Sequence, residues 1–512
     1  MKYQNDFRGV LKMNGEFLLG VDIGTYSSKG VLVAKEGKII AQHTVFHDMA
    51  MPYPGQFEHD ADKIWWSDFV TITKALLQQS KIHPSRIISV GISGIGPCVL
   101  PIDENGIPLR PAILYGIDRR STKEIKYLER VLGKEQIFQK TGSYLSSQSA
   151  GPKILWIREH EREVYEKTRW FLTSQAYIVY KLTGITSIDI YTASSYAPLF
   201  DITSLQWDEN ASSYIVPVNR LPQVYWSYEV VGTITKQSAQ ETGLVHGTPV
   251  IVGTSDAAAE ALSTGMLIND MMLMFGSSVF FIVQTSQLKK AKHFWNAPFL
   301  DKGIYSVLGG MSTAGSLTKW FRDNFAMEKE IEQENTYEIL MKLAEKSPPG
   351  AKGLILLPYF EGERTPIHDP QAKGVLFGLN LQHTRSDIYR AILEGVGFGI
   401  YHNLEVLSEE MIEPQNILVT GGGTKNKLWM QIVSDILNKE IVIPDTKTGA
   451  SYGDAFMAGV GSGLFHNLTD IHLWIKNKQV IQPDPKAHEK YLSSYHIFRS
   501  LYKVTKTLMH KI

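Results

Sequence analysis

The feature that most constrains this chain is a short pattern that occurs twice. Phe17-Leu18-Leu19-Gly20-Val21 is an apolar run, Asp22-Ile23-Gly24-Thr25 follows it, and a second run extends from Gly30 to Ala34. Halfway along, Met271 to Phe275, Gly276-Ser277-Ser278 and Val279 to Val283 repeat that order. Short apolar runs separated by glycine with serine or threonine read as strands joined by tight turns. One such hairpin at the start of each half predicts a duplicated architecture. The boundary falls near residues 263–271, after Ser263-Thr264-Gly265.

The segments between these hairpins alternate in character. A helical pattern from Trp65 to Gln79 precedes a strand from Ile87 to Ile92, and alternation of this kind means α/β. Later, Ile417-Leu418-Val419 reads as a strand ending in Thr420-Gly421-Gly422-Gly423, before a helix from Lys427 to Leu437. Tyr491, Tyr495, Phe498 and Tyr502 form one stripe of a C-terminal helix, which reads as docking on the core, with a membrane-surface helix as the alternative. With 512 residues the chain holds more than one domain: an extension at 1–16, then units at 17–265 and 266–512.

Composition removes several classes of function. Lysine plus arginine equals aspartate plus glutamate at 52 each, so no charge excess points to nucleic acid or an anionic membrane. Cys98 is the sole cysteine, which fits a reducing compartment and excludes an internal disulfide. The first sixteen residues lack the apolar core of a signal peptide, and no segment reaches the ~18–20 apolar residues of a membrane span. The expectation is a cytoplasmic protein.

Three glycine turns follow strands, at Gly24-Thr25, Gly276-Ser277 and Gly421 to Gly423. Glycine lets backbone N–H groups approach an oxyanion, so together these turns point to phosphate binding. Lys29 supplies a cation for a terminal phosphate, and Asp22 at a strand end suits Mg²⁺ held through water. There is no G-x-x-x-x-G-K-[ST] and no G-x-G-x-x-G after a strand; the glycines of 395–399 and 459–463 read as close helix packing. Asp256, after an apolar run and before Ala257-Ala258-Ala259, reads equally as a catalytic carboxylate or as the N-cap of a helix.

At this point the residues resemble the FGGY carbohydrate kinases, relatives of glycerol kinase and xylulokinase in the actin-like superfamily. The family's first element is matched by Asp22 to Lys29, and its C-terminal signature by Gly374 to Leu379 with Asp387 to Glu394. Gly55, Glu58, Asp60, Trp65-Trp66, Arg110 to Leu114, Gly247 to Val250, Val252 to Asp256, Ala314-Gly315, Trp320 and Gly421 to Asn426 follow in order. In the N-terminal signature Lys153 and Trp156 fit, whereas Gln148 and Ala150 depart. The resemblance implies two actin-like (ribonuclease H-like) domains with a cleft between them, ATP and Mg²⁺, and closure of the halves about residue 265.

Carried over by position, Asp256 is the general base, and Asp22 with Asp256 holds the metal through water. Gly24, Thr25 and Lys29 meet the phosphates, as do Gly276 and Ser277, while Gly315, Gly422, Gly423 and Asn426 line the adenosine pocket. The acceptor side is less regular. Ile95-Gly96-Pro97 stands where xylulokinases carry Gln-Met-His, and glycerol kinase's Arg-Glu pair is missing too. Tyr115, Asp118, Arg120 and Gln148 are the candidate acceptor contacts, with a structural ion pair as the alternative for Asp118 and Arg120. A ketopentose such as xylulose is the first acceptor to consider, then a sugar acid (gluconate-like) or a polyol. A homodimer is an allowed assembly. The rivals are an actin-like ATPase that uses no sugar and a catalytically inactive sugar sensor.

Overall fold

The computed structural model describes residues 16–327, 336–445 and 449–512. All of the expected extension except Glu16 therefore lies outside the described residues. The first half opens with β1 (Phe17–Ile23), β2 (Ser27–Ala34) and β3 (Ile39–Phe46), followed by α1 (Ser67–Ser80) and β4 (Ile87–Gly94). It closes with β5 (Val230–Thr233), β6 (Pro249–Ile251), β7 (Thr254–Ser255) and α2 (Asp256–Ser263). β1 is buried at every position except Asp22, as an apolar strand with a polar residue at its working end requires. The helix expected over 65–79 is α1, preceded by a wider π turn at Ala61–Trp66 that Asp60 caps by accepting the Lys63 N–H at 3.0 Å.

The second half begins with β8 (Met271–Phe275) and β9 (Val279–Thr285), then β10 (Trp295–Pro298), β11 (Tyr305–Met311) and α3 (Gly315–Phe325). After these come α4 (Arg385–Glu409), β12 (Ile417–Thr420), α5 (Lys427–Leu437) and β13 (Ile441–Pro444). The half ends with α6 (Ala450–Gly461), β14 (Lys478–Ile481) and α7 (Pro485–Met509). The two hairpins and the helix from 427 to 437 stand where the apolar pattern places them.

Each half builds a seven-stranded sheet, and the two sheets share one plan. The first runs β3-β2-β1-β4-β6-β5, with β7 also paired to β4; the second runs β10-β11-β9-β8-β12-β13-β14. In both, three antiparallel strands meet two parallel ones and an antiparallel strand closes that edge, and in the second β10 adds a fourth antiparallel strand at the opposite edge. The hairpin repeat in the sequence is thus the visible part of a duplicated six-strand order.

Two helices join the halves. α6, from the second half, lies on β1 and β4 of the first so closely that only glycine fits beneath it. A Cβ at Gly20 would stand 1.9 Å from the Ser451 carbonyl, and one at Gly91 2.1 Å from that of Asp454. α2 packs beside α6, and apolar residues from both halves (Leu18, Ala258, Met272, Ile282, Ala455) form a common core. Between β4 and β5 the chain leaves the sheet and builds a separate core around Leu128, Ile154, Phe171 and Tyr196.

The C-terminal stripe docks on the second half. Tyr491, Tyr495 and Phe498 are buried, and the hydroxyls of Tyr491 and Tyr495 donate to Glu394 and Glu405 at 3.0 and 2.7 Å. The dense glycines likewise serve packing, since a Cβ at Gly395 of α4 would fall 2.5 Å from the Leu356 carbonyl. Among the described residues no helix is long and apolar enough to cross a membrane.

Candidate active site

The site grows from the ends of β1 and β4. Asp22 stands opposite Lys29 across the first hairpin and beside Ser93 on β4. The Ser93 hydroxyl lies 3.0 Å from the Asp22 carboxylate. At the turn, Gly24 donates its N–H to the Ser27 carbonyl at 3.1 Å, and the Thr25 hydroxyl meets the Tyr115 hydroxyl at 3.1 Å.

Asp256 is the first residue of α2, and Ser255 occupies the N-cap position before it. The N-cap alternative for Asp256 is therefore not realised. One of its carboxylate oxygens, Oδ1, accepts the Ala257 N–H at 2.7 Å. Among the described residues the other, Oδ2, has no hydrogen-bond partner. Burial and the neighbouring charge of Asp22 raise the Asp256 pKa, while burial, against the Ser93 hydrogen bond, raises that of Asp22. One turn along α2, Glu260 is also raised by burial, and it accepts the Thr420 hydroxyl at 2.6 Å. Thr420 leads into the third glycine turn, so α2 links the first hairpin to the Gly421–Gly423 segment. Among the described residues no three His, Cys, Asp or Glu side chains form a direct metal cage. The crowded Asp22, Asp256 and Glu260, with Lys29 nearby, fit a cation reached through water.

The second hairpin turn meets the start of α3. Gly315 donates its N–H to the Gly276 carbonyl at 3.1 Å, and Ala314 and Ser316 donate theirs to the Ser277 carbonyl at 2.8 and 3.0 Å. A Cβ at Gly315 would sit 2.5 Å from the Gly276 oxygen, and one at Gly423 2.7 Å from Cβ of Phe275. Gly422 is open, with nothing within 4 Å of that position. Asn426 caps α5 through its side-chain oxygen, which accepts the Trp429 N–H at 3.0 Å.

A cavity of about 430 Å³ lies between the halves. Asp256, Tyr115, Gln148 and Ser277 line it, so four of the candidate residues share one space. Asp118 and Arg120 do not. Asp118 is fully buried; it accepts the Phe57 N–H at 2.7 Å and pairs with Arg120 at 2.8 Å. Arg120 reaches Glu58 at 2.8 Å and packs over Trp156. Glu58 also pairs with Arg110. Every charge in this group is spent on another, so the structural ion-pair alternative describes these two residues and they leave the acceptor set.

Other lining residues went unnoticed in the sequence. Tyr191, Thr192 and Ser195 come from the segment between β4 and β5 of the first half, and Phe280, Trp295 and Arg364 from the second. None belongs to a spaced motif. The one available signal for Arg364 was a charged pair, Glu363-Arg364, in a loop bounded by Gly362 and Pro366.

Comparison with known proteins defines the class. Residues 17–263 match the N-terminal domain, and residues 271–462 the C-terminal domain, of the FGGY family of carbohydrate kinases. The chain belongs to that family and has its two-domain actin-like α/β fold. It is 28% identical over 500 residues to a xylulose kinase of Bacillus subtilis, covering 96% of this chain and 98% of the relative. To a gluconokinase of the same organism it is 27% identical over 497 residues, covering 95% of each chain. The crystal structure of xylulose kinase from Rhodospirillum rubrum matches with a TM-score of 0.89 at 29% identity, over 97% of this chain and 100% of that one. The protein is a carbohydrate kinase, a phosphotransferase.

Removing one member of a buried, hydrogen-bonded charge group leaves its partners uncompensated, at a cost of about 3–5 kcal/mol. Arg120→Ala is expected to lower the unfolding free energy from urea titration by an amount in that range, with a matching fall in the midpoint. An unchanged midpoint with a lost acceptor affinity would return Arg120 to the acceptor pocket.

Proposed function

We propose that the protein transfers the γ-phosphoryl group of ATP, bound with Mg²⁺, to a hydroxyl of a sugar, with Asp256 as the general base. A ketopentose such as xylulose is the first acceptor in this reading, in a cytoplasmic setting. The observation that carries it is the free Asp256 Oδ2 on the wall of the cavity that Ser277 also lines. A hydroxyl within hydrogen-bond reach of that oxygen can give up its proton as it attacks phosphorus.

The remaining roles follow from position. Gly24, Thr25, Lys29, Gly276 and Ser277 receive the phosphates on the two hairpins. Gly315, Gly422, Gly423 and Asn426 flank the adenosine, where the open face of Gly422 leaves room for a flat group. Asp22 and Asp256 would hold Mg²⁺ through water, and the ion would neutralise phosphate charge. Tyr115 and Gln148 present polar atoms to the acceptor. Since phosphate and acceptor groups come from both halves, closure of the cleft excludes water from the reaction.

A sugar acid such as gluconate is the second reading, favoured by the guanidinium of Arg364 in the cavity wall. A polyol differs only in lacking that charge.

Asp256→Asn keeps the shape and the Ala257 contact but removes the base. Its turnover on the best acceptor is expected to fall about 10²–10⁴-fold, while calorimetry shows ATP binding close to that of the parent protein. Turnover within tenfold of the parent would take Asp256 out of the mechanism. The pH dependence has a definite sign. A raised carboxyl pKa keeps the proton on at pH values where an ordinary aspartate, at about 3.9, has lost it. The acceptor kcat/KM should therefore rise with pH along a limb displaced above the usual carboxylate range. A profile already flat from about pH 6 upward, as for an unshifted carboxylate, would contradict this.

A further inference from the structure

Arg364 is spared the neutralisation that other buried arginines of the fold receive. Arg110, Arg120 and Arg390 each face a carboxylate. Among the described residues the Arg364 guanidinium has no hydrogen-bond or ion-pair partner, yet it lines the cavity with Asp256. These two are the only ordinarily charged side chains in that lining.

Its sequence neighbour Glu363 acts on it through space but makes no hydrogen bond or ion pair with the guanidinium. Glu363 turns its carboxyl the other way, with Oε1 accepting the N–H groups of Ser312 and of Arg364 itself at 2.7 Å each. Burial pushes the Glu363 carboxyl up to about 8, so near neutral pH it is largely protonated. The backbone that presents Arg364 is pinned. Thr365 donates its N–H to the Gly310 carbonyl at 3.1 Å, receives the Gly310 N–H on its hydroxyl at 2.8 Å, and lies 2.7 Å from Asn403 Oδ1. Gly310 belongs to β11, which pairs with β9 of the second hairpin. The guanidinium is therefore carried by the second half into the cavity that Tyr115 and Gln148 of the first half also line.

We infer that Arg364 forms an oxyanion subsite inside the acceptor cavity. A planar guanidinium with free N–H groups matches a carboxylate or a phosphoryl group through two parallel hydrogen bonds, and a neutral sugar offers it nothing comparable. The oxyanion has two sources: the carboxylate of a sugar-acid acceptor, or the phosphoryl group passing to the acceptor. The inference deepens the kinase reading and rests on it for the second source.

Gluconate and glucitol separate the sources, because they differ by a terminal carboxylate in place of CH₂OH. Acceptor binding by calorimetry and turnover with ATP are measured for the parent, Arg364→Gln and Arg364→Lys, each checked for its urea midpoint. If the carboxylate is the ligand, Arg364→Gln lowers the gluconate-to-glucitol affinity ratio about ten- to a hundredfold, the loss expected for a charge-assisted pair. If the phosphoryl group is the ligand, the ratio stays near one in the parent, and kcat falls by a similar factor on whichever acceptor is used. In both cases Arg364→Lys recovers part of the loss. Binding ratio and kcat both within twofold of the parent in Arg364→Gln overturn the subsite. A parent that binds gluconate through Arg364 but phosphorylates nothing keeps the subsite and removes the kinase reading.

Discussion

Everything in this structure turns on carboxylates gathered at the ends of strands. Asp22 and Glu260 raise the proton affinity of Asp256, and Glu260 raises that of Asp22, on top of the effect of burial, and Lys29 is the cation that acts on Asp22 and Glu260. Behind them, the Ser93 hydroxyl lies 3.0 Å from Asp22 and 2.7 Å from Asp454. A hydroxyl carries one proton, so it can donate to one of the two. Burial holds Asp454 well above the usual carboxylate range, against the hydrogen bonds it accepts from Ser93. Such a cluster costs stability in the free protein. A chain that keeps one has a use for concentrated negative charge.

The cost is offset by the way the halves are joined. α6 brings Asp454 across from the second half and sits on Gly20 and Gly91, where no side chain could be tolerated. α2 runs the other way, bringing Asp256 to the cavity and Glu260 to Thr420 beside the third glycine turn. Two short helices in a common apolar core thus couple both sheets to the same group of charges. The duplicated sheet order explains why this works. Each half contributes a hairpin whose turn projects from equivalent strands.

How much of this could be read in advance follows from where information sits along a chain. The hairpins, the Lys427–Leu437 helix and the Tyr491-Tyr495-Phe498 stripe were legible because apolar periodicity is local and each element is buried along its length. Asp22, Asp256 and the glycine turns were legible because strand ends place chemistry next to recognisable runs. The acceptor wall was not. Asp118 and Arg120 look like sugar contacts in isolation, and only the fold reveals that Glu58, Arg110 and Trp156 surround them. Arg364 is the reverse case, a side chain beside a glutamate in sequence whose partner in space turns away to Ser312. Pairing between distant charges is decided by tertiary packing, and no spacing rule records it.

The central claim is that both hairpins address one nucleotide and aim its terminal phosphate at Asp256. A structure of the protein with Mg²⁺ and a non-hydrolysable ATP analogue tests it most directly. The account predicts the triphosphate between the turns at Gly24-Thr25 and Gly276-Ser277, the adenosine against Gly422 and Gly423, and the last phosphate facing the Asp256 cavity. A nucleotide bound away from either turn, or with its terminal phosphate pointing out of that cavity, would contradict it.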